Sequence, residues 1–202
     1  MKLDGQAALV VIDAQKGGVM AQGETGIPHM AGGAERYARI IELIAAARAV
    51  EVPVVFIQEV HKRTLTDFGR ELDGVEGVHC LEGDRATELA DGIEPLPDEY
   101  LIRKRRYSAF FHTELELVLK SYGVRTLLLV GGLTDVCVHY TFADAHQHDY
   151  HLRVITDCVG GSSPRAHDAA LEAMAYLQRD CLVCSEDVLA ALSAAGATAV
   201  GS

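Results

Sequence analysis

The sequence lacks several features that would assign it to common functional classes. Basic residues are scarce, because 18 Lys and Arg stand against 29 Asp and Glu, a formal net charge of −11. A nucleic-acid backbone would repel such a chain. No apolar run approaches the roughly 18 residues of a membrane span, and the N-terminus has no signal-peptide layout. We therefore expect no nucleic-acid partner, no membrane partner and a cytoplasmic location.

Cysteine is also sparse. Five scattered cysteines are an odd number, and a chain of 202 residues is large enough to bury a core without disulfides. We interpret them as reduced thiols. No repeat, linker or low-complexity segment divides the chain. The sequence thus predicts one domain over residues 1–202, with a frayed tail at 194–202.

Apolar periodicity predicts strands that alternate with helices. The predicted strands are 7–12, 53–58, 100–103, 127–130, 152–156 and 181–184. The predicted helices are 34–50, 113–122, 135–148, 164–178 and one that begins at Ser185. This alternation predicts a three-layer α/β/α fold with a mostly parallel, six-stranded, Rossmann-like sheet. The periodicity fails between 59 and 99, which we expect to form a loop-rich excursion over the site.

Cys137 follows an apolar strand and the break Gly131-Gly132, at the predicted start of a helix. The N-terminal end of a helix favours negative charge, so a thiolate at this position would be stabilised. Most free cysteines, however, are small buried hydrophobes. The segment alone supports both interpretations equally.

Two further polar residues fall at predicted strand ends. Asp13 follows the first strand, and Lys104 follows the third. The carboxyl ends of parallel strands share one rim, which would gather a base, a cation and a nucleophile. Spacing alone leaves alternatives open. Asp13 could be a turn cap, and Lys104 could be solvated within the basic run 103–106.

Three segments resemble the isochorismatase-like cysteine hydrolases, and the resemblance extends over residues 7–185. They are Val11-Ile-Asp13-Ala-Gln15, Lys104-Arg-Arg-Tyr-Ser-Ala-Phe110 and Gly131-Gly-Leu-Thr-Asp-Val-Cys137-Val-His-Tyr-Thr-Phe-Ala-Asp144-Ala. The resemblance implies that Cys137 is the nucleophile, Asp13 the general base and Lys104 the cation beside both. It also implies a cis peptide at Gly132–Leu133, so that the N–H groups of Leu133 and Cys137 form an oxyanion hole.

The same resemblance implies an activity. We expect hydrolysis of a C–N bond in a small amide or ureido compound, biuret-like or N-carbamoyl, through a thioester, by a homodimer or homotetramer. Gln15 or Arg70 would bind a ureido oxygen or nitrogen, although a structural ion pair explains Arg70 equally well. The alternatives are a vinyl-ether hydrolase of the isochorismatase type, or a catalytically idle scaffold or binding protein of the same fold.

The nicotinamidase branch of this superfamily needs a metal. The matching place here is Glu59-Val60-His61, with His79 as a possible third ligand. A carboxylate and two histidines could hold a divalent ion. Glutamate replaces the aspartate of that branch, however, and the rest of its pattern is absent. The segments around Gly131-Gly132 and Gly160-Gly161 also lack a dinucleotide-binding fingerprint and a phosphate-loop lysine. We therefore expect no metal and no cofactor.

Overall fold

The computed structural model describes residues 1, 3–21 and 23–199. Six strands in this part of the chain are β1 Gln6–Ile12, β2 Val54–Glu59, β3 Tyr100–Lys104, β4 Val124–Gly132, β5 His151–Gly160 and β6 Leu182–Val183. Five α-helices are α1 Gly33–Ala49, α2 Leu115–Ser121, α3 His139–Gln147, α4 Pro164–Leu177 and α5 Ser185–Ala199. The strands form one sheet in the order β3-β2-β1-β4-β5-β6, and every neighbouring pair is parallel. The predicted three-layer α/β/α fold is confirmed.

The alternation of side chains along β1 shows how the layers form. Ala8, Val10 and Ile12 pack on the face that α2, α3 and α4 cover. Leu9 and Val11 pack on the opposite face, beneath α1 and α5. Because both faces are covered, the central strands contain continuous apolar runs, residues 7–12 in β1 and 127–130 in β4, as is typical of parallel sheets.

The strand order places a topological switch point between β1 and β4. The chain moves outward from β1 through β2 to β3, then returns to the other side of β1 as β4. Ile12 and Gly131 are paired across these two strands. The loops that follow them therefore diverge, and a crevice opens at their carboxyl ends.

Three elements differ from the prediction. β5 extends to Gly160, so Asp157 lies inside the strand rather than after it. The helix after β4 begins with a π-helical turn, Thr134–Val138, before α3. α5 continues to Ala199, past Ala194, because Val188 and Leu192 anchor it in the core, so the frayed tail predicted from 194 is wrong up to Ala199. Residues 200–202 lie outside the described residues.

The excursion between β2 and β3 contains little regular structure. Two short 3₁₀ turns, Glu71–Asp73 and Arg85–Thr87, interrupt it. Single bridges, Gln15 to Leu89 and His61 to Leu81, tie the excursion to the sheet edge. Among the described residues, no helix has both the length and the apolarity needed to cross a membrane.

Gly131 provides a stability test of the switch point. Its φ is +111°, and a Cβ there would lie 1.8 Å from the Ile12 carbonyl oxygen. We expect Gly131→Ala to lower the free energy of unfolding by about 2–4 kcal/mol, because the neighbouring backbone must move. Gly74→Ala is the control, since nothing lies within 4 Å of a Cβ there. Equal urea midpoints for the two variants would contradict this packing.

Candidate active site

Lys104 brings the ends of three strands together. It is the last residue of β3, and its fully buried side chain reaches across the end of β2. Its Nζ lies 2.8 Å from Asp13 Oδ2 and 3.2 Å from Cys137 Sγ. Asp13, Lys104 and Cys137 therefore meet at the switch point, as the strand-end argument predicted. Lys104 is not part of a solvated basic surface.

Glu59 is a fourth member of this group, which the sequence analysis considered only as a metal ligand. Its Oε2 lies 2.7 Å from Lys104 Nζ and 3.5 Å from Cys137 Sγ. Its backbone N–H donates a 2.7 Å hydrogen bond to Asp13 Oδ1. Glu59 ends β2, so the strand-end rule, applied to that strand as well, would have found it.

The buried charges set the protonation of the group. The two carboxylates and the thiol all lie within 4.8 Å of one another. Burial raises the pKa of Asp13, and Glu59 adds to this effect against the opposing pull of Lys104, giving a pKa of about 6. Burial also acts to raise the pKa of Glu59, but Lys104 and two histidines outweigh it and hold that pKa well below its usual range. The site thus separates a permanent anion from a titratable base.

The thiol of Cys137 is protonated in the resting site. Burial raises its pKa well above the usual range, and the attraction of Lys104 does not compensate. Burial and the two carboxylates therefore act against the stabilisation that the helix N-terminus would give a thiolate. A nucleophilic role for Cys137 requires a base to remove its proton.

The turn before Cys137 contains the expected cis peptide at Gly132–Leu133. The Leu133 N–H has no backbone acceptor in the described part of the chain. Leu133 and Cys137 both line the cavity at the switch point. The two N–H groups predicted to form an oxyanion hole therefore belong to residues on the wall of one cavity.

Two contacts from outside the turn fix its position. Asp135 accepts hydrogen bonds from the Ser162 N–H at 2.8 Å and from the Ser162 hydroxyl at 2.6 Å. The Thr134 hydroxyl lies 2.9 Å from Nδ1 of His167. Sequence reasoning missed both contacts, because they join the turn to a loop and a helix that follow the next strand. They hold the residues around Cys137 without using any group of the site itself.

The two predicted substrate contacts have different positions. Gln15 lines the cavity, but its Nε2 donates to the carbonyls of Thr87 at 2.7 Å and Glu59 at 3.1 Å, so it anchors the excursion. Arg70 does not line the cavity. Its side chain is 93% exposed and pairs with Asp73 at 2.7 Å, which is the structural alternative. Among the described residues, Arg36 is the arginine that lines the cavity.

The excursion contributes the residues Glu76, His79, Cys80 and Ala86 to the cavity wall, beside Glu59 at the end of β2. On the far side of Glu59 lies a buried cluster of Glu59, His61, Glu71 and His79. The Nε2 atoms of His61 and His79 lie 3.2 and 3.1 Å from Glu59 Oε1, and His61 Nε2 also lies 3.2 Å from Glu71 Oε2. Glu71 was not foreseen, since it lies in an irregular loop.

This donor set is one that a divalent transition metal accepts, and neither oxygen of Glu71 makes a hydrogen bond in the described structure. Protonated histidine side chains can also offset the carboxylate charge of this cluster, without a metal. Burial acts to lower the pKa of His61, but the contacts with Glu59 and Glu71 outweigh it and raise that pKa to about 9. An imidazolium on His61 offsets one of the two carboxylate charges that it contacts.

Comparison with known proteins shows the family of the chain. The model of the isochorismatase domain matches residues 7–186, so the chain belongs to the isochorismatase family. A ureidoacrylate amidohydrolase, RutB, from Pseudomonas syringae pv. syringae is 30% identical over 186 residues, covering 83% of this chain and 76% of that protein. An Arabidopsis thaliana protein named as a probable inactive nicotinamidase is 33% identical over 168 residues, covering 80% of this chain and 84% of its own.

A solved structure shows the same architecture. An isochorismatase-like hydrolase from Alkaliphilus metalliredigens superposes with a TM-score of 0.80 at 27% identity. The match covers 93% of this chain and 99% of that one. The resemblance inferred from the three sequence segments is confirmed at the level of the family and of the fold.

The histidine cluster leads to a prediction about metal content. We expect the purified protein to hold well under one equivalent of any transition metal, because a charged His61 already offsets part of the carboxylate charge. Elemental analysis by plasma mass spectrometry, after purification without chelator, measures this directly. Stoichiometric zinc, manganese or iron that Glu71→Gln removes would contradict the metal-free cluster.

The pKa of Asp13 leads to a prediction about pH. If the ionised carboxylate is the active form, kcat/KM should rise roughly tenfold per pH unit below about 6 and level off above it. The direction follows because protonated Asp13 cannot accept the thiol proton. Initial rates from pH 4.5 to 8 test this, with protein integrity checked by circular dichroism. A flat profile across pH 5–7 would exclude Asp13 as the titrating base.

Proposed function

We propose that this protein is a cysteine amidohydrolase that cleaves a C–N bond of a small amide or ureido compound. One observation carries the proposal: Lys104 Nζ touches both the Asp13 carboxylate and Cys137 Sγ, and Asp13 and Cys137 line one cavity. Such a grouping suits acyl transfer, since it provides a nucleophile, a base and a charge that holds them. The similarity to an enzyme named as a ureidoacrylate amidohydrolase supports the substrate class.

In the first half-reaction, Asp13 removes the proton from the Cys137 thiol, and the sulfur attacks the substrate carbonyl. The high pKa of the thiol makes this transfer concerted with attack, so that no free thiolate accumulates. The N–H groups of Leu133 and Cys137 receive the oxyanion. Asp13 then gives its proton to the leaving nitrogen, and the C–N bond breaks to leave a thioester on Cys137.

In the second half-reaction, Asp13 is again ionised and accepts a proton from water as the water attacks the thioester. The sulfur leaves as the C–S bond breaks, and Asp13 returns the proton to it. Asp13 therefore acts as base and acid in turn, which a pKa of about 6 permits near neutral pH.

Lys104 and Glu59 have different roles from Asp13. The Lys104 ammonium stabilises negative charge on the sulfur as the proton leaves. Glu59 stays ionised and balances Lys104, so Asp13 is free to change its protonation state. A divalent metal, if bound by the four-residue cluster beside Glu59, would supply Lewis-acid character there. The steps above use only the side chains and backbone of the chain itself.

The preference for amide over vinyl-ether hydrolysis rests on the thiol. Ether cleavage needs mainly an acid, whereas attack on a carbonyl needs a nucleophile beside its base. Cys137 is 5% exposed, yet it opens onto the cavity between Asp13 and Leu133. An idle scaffold would need no thiol beside a carboxylate base on the wall of a cavity.

We also propose a homodimer or homotetramer and a cytoplasmic location. Exposed apolar side chains such as Leu117, Tyr140 and Tyr176 are consistent with self-association. All five cysteines are free thiols, which suits a reducing compartment. Light scattering on the purified protein gives the assembly directly, and a monomeric mass would exclude it.

Ammonia release from a panel of biuret, N-carbamoyl, ureido and amide compounds tests the proposed activity. For the best substrate, we expect Cys137→Ala to lose at least about 10³-fold in kcat, because the nucleophile is gone. Cys158→Ala is the matched control, since it removes another buried thiol that does not line the cavity. Full activity in Cys137→Ala would exclude the mechanism.

A further inference from the structure

One cation lines the catalytic cavity without a carboxylate partner. Arg36, near the start of α1, is the single Lys or Arg among the cavity-lining residues of the described chain. Lys104 is charged too, but Asp13 and Glu59 neutralise it. No Asp or Glu oxygen in the described residues lies within 4.0 Å of the Arg36 guanidinium. Its positive charge therefore remains available to a ligand.

Backbone carbonyls hold Arg36 in place. Its Nη1 donates to the Ala31 oxygen at 2.7 Å, and its Nη2 donates to the Met30 oxygen at 3.0 Å. A guanidinium has five N–H donors, and Nε has no acceptor among the described residues. The carbonyls fix the orientation but carry no net charge. The side chain is thus both preorganised and incompletely satisfied.

A glycine beside the guanidinium places Arg36 relative to the reacting centre. A Cβ on Gly160 would lie 2.6 Å from Arg36 Nε and 2.7 Å from Cζ, so the guanidinium occupies the space of a side chain. Gly160 is paired with Gly132 across β4 and β5. Neighbouring strands are about 5 Å apart. The guanidinium therefore lies over the strand position next to Gly132, whose peptide bond presents the Leu133 N–H.

We propose that Arg36 binds an anionic group, a carboxylate, at the non-reacting end of the substrate. The preferred substrates are then ureido or amido acids in which a short linker separates the scissile carbonyl from the carboxylate. This inference rests on the proposed amidohydrolase function. Arginine suits the role, because its planar fork matches a carboxylate in two parallel hydrogen bonds.

The negative charge of the cavity and of the whole chain means that an anionic substrate needs the positive charge of Arg36 to bind. The chain has a net charge of −11, and Asp13, Glu59 and Glu76 all line the cavity. An anion that enters this field is repelled unless a local positive charge offsets it. A neutral substrate such as biuret would need no such charge. Arg36 therefore distinguishes acids from neutral ureas and amides.

Matched pairs of substrates separate this role from a structural one. N-carbamoylglycine, 3-ureidopropanoate and 4-ureidobutanoate are each compared with their methyl esters. We expect the wild type to prefer at least one acid over its ester. Arg36→Gln should lower kcat/KM for that acid by 10- to 100-fold, mainly through KM, because a charged hydrogen bond is lost. The ester should change by less than threefold, and Arg36→Lys should retain part of the preference.

The control is Arg39→Gln, on the same helix, where the arginine is exposed and contacts Asp157 at 3.5 Å. It should leave both substrates unchanged. Equal losses for acid and ester in Arg36→Gln, or a wild-type preference for esters, would overturn the role of Arg36. If no compound releases ammonia in a Cys137-dependent reaction, the amidohydrolase proposal itself fails. If Cys137-dependent turnover persists without acid selectivity, only the present inference fails.

A measurement on the wild type covers the case in which Arg36→Gln does not fold. Propanoate should inhibit turnover of a neutral ester competitively, whereas propan-1-ol, of the same length, should not. Added sodium chloride at equal ionic strength controls for screening. Inhibition by propanoate no stronger than by propan-1-ol would overturn the proposal.

Discussion

The buried ammonium of Lys104 is the interaction on which the arrangement of the site depends. It lies within 3.2 Å of Cys137 Sγ and closer to one oxygen each of Asp13 and Glu59. Without it, two carboxylates and a thiol within 4.8 Å of one another would lose the one charge that offsets the burial of all three. Removing one partner from such a buried pair costs about 3–5 kcal/mol. The same charge therefore holds the fold together at the strand ends and prepares the thiol for attack.

The sheet explains why these groups meet. The strands β3, β2, β1 and β4 are consecutive neighbours in the sheet. β3 and β2 end in Lys104 and Glu59, and β1 and β4 lead into Asp13 and Cys137. β2 lies between β1 and β3, so Glu59 separates Asp13 from the backbone of Lys104 and shares its ammonium. The fifth strand adds Gly160 at the same edge, and its missing side chain makes room for Arg36. One edge of the sheet thus carries both the reacting groups and the proposed anion contact.

Sequence patterns predicted what depends on the regular sheet. Apolar runs located the strands, and the strand-end rule located Asp13, Lys104 and Cys137 on one rim. Sequence patterns did not predict the positions of side chains that lie in irregular loops or that are long enough to reach the site from a helix. Arg70 looked available because it lies in the excursion, but that loop turns it to solvent. Arg36 lies in the first turn of α1, and the apolar periodicity of that helix does not indicate that this turn lines the cavity.

Sequence patterns also gave no information on the electrostatic environment of Cys137, because that environment depends on burial. The helix N-terminus before Cys137 suggested a stabilised thiolate, a local argument that holds for exposed cysteines. The structure buries the sulfur beside two carboxylates, and desolvation dominates. Sequence shows neither the depth of a residue nor the identity of its charged neighbours. The result is a site in which the base, rather than the thiol, has the pKa nearest neutrality.

The most direct test of this account is the covalent intermediate. The protein is mixed with its best substrate, quenched in acid within milliseconds to seconds, and analysed by intact-protein and peptide mass spectrometry. The account predicts a transient acyl adduct on the peptide that carries Cys137, formed and lost at rates compatible with turnover and absent from Cys137→Ala. Two results would contradict the account. One is turnover without any adduct, under conditions in which single-turnover rates show that hydrolysis of an intermediate limits the reaction. The other is an adduct on a residue other than Cys137.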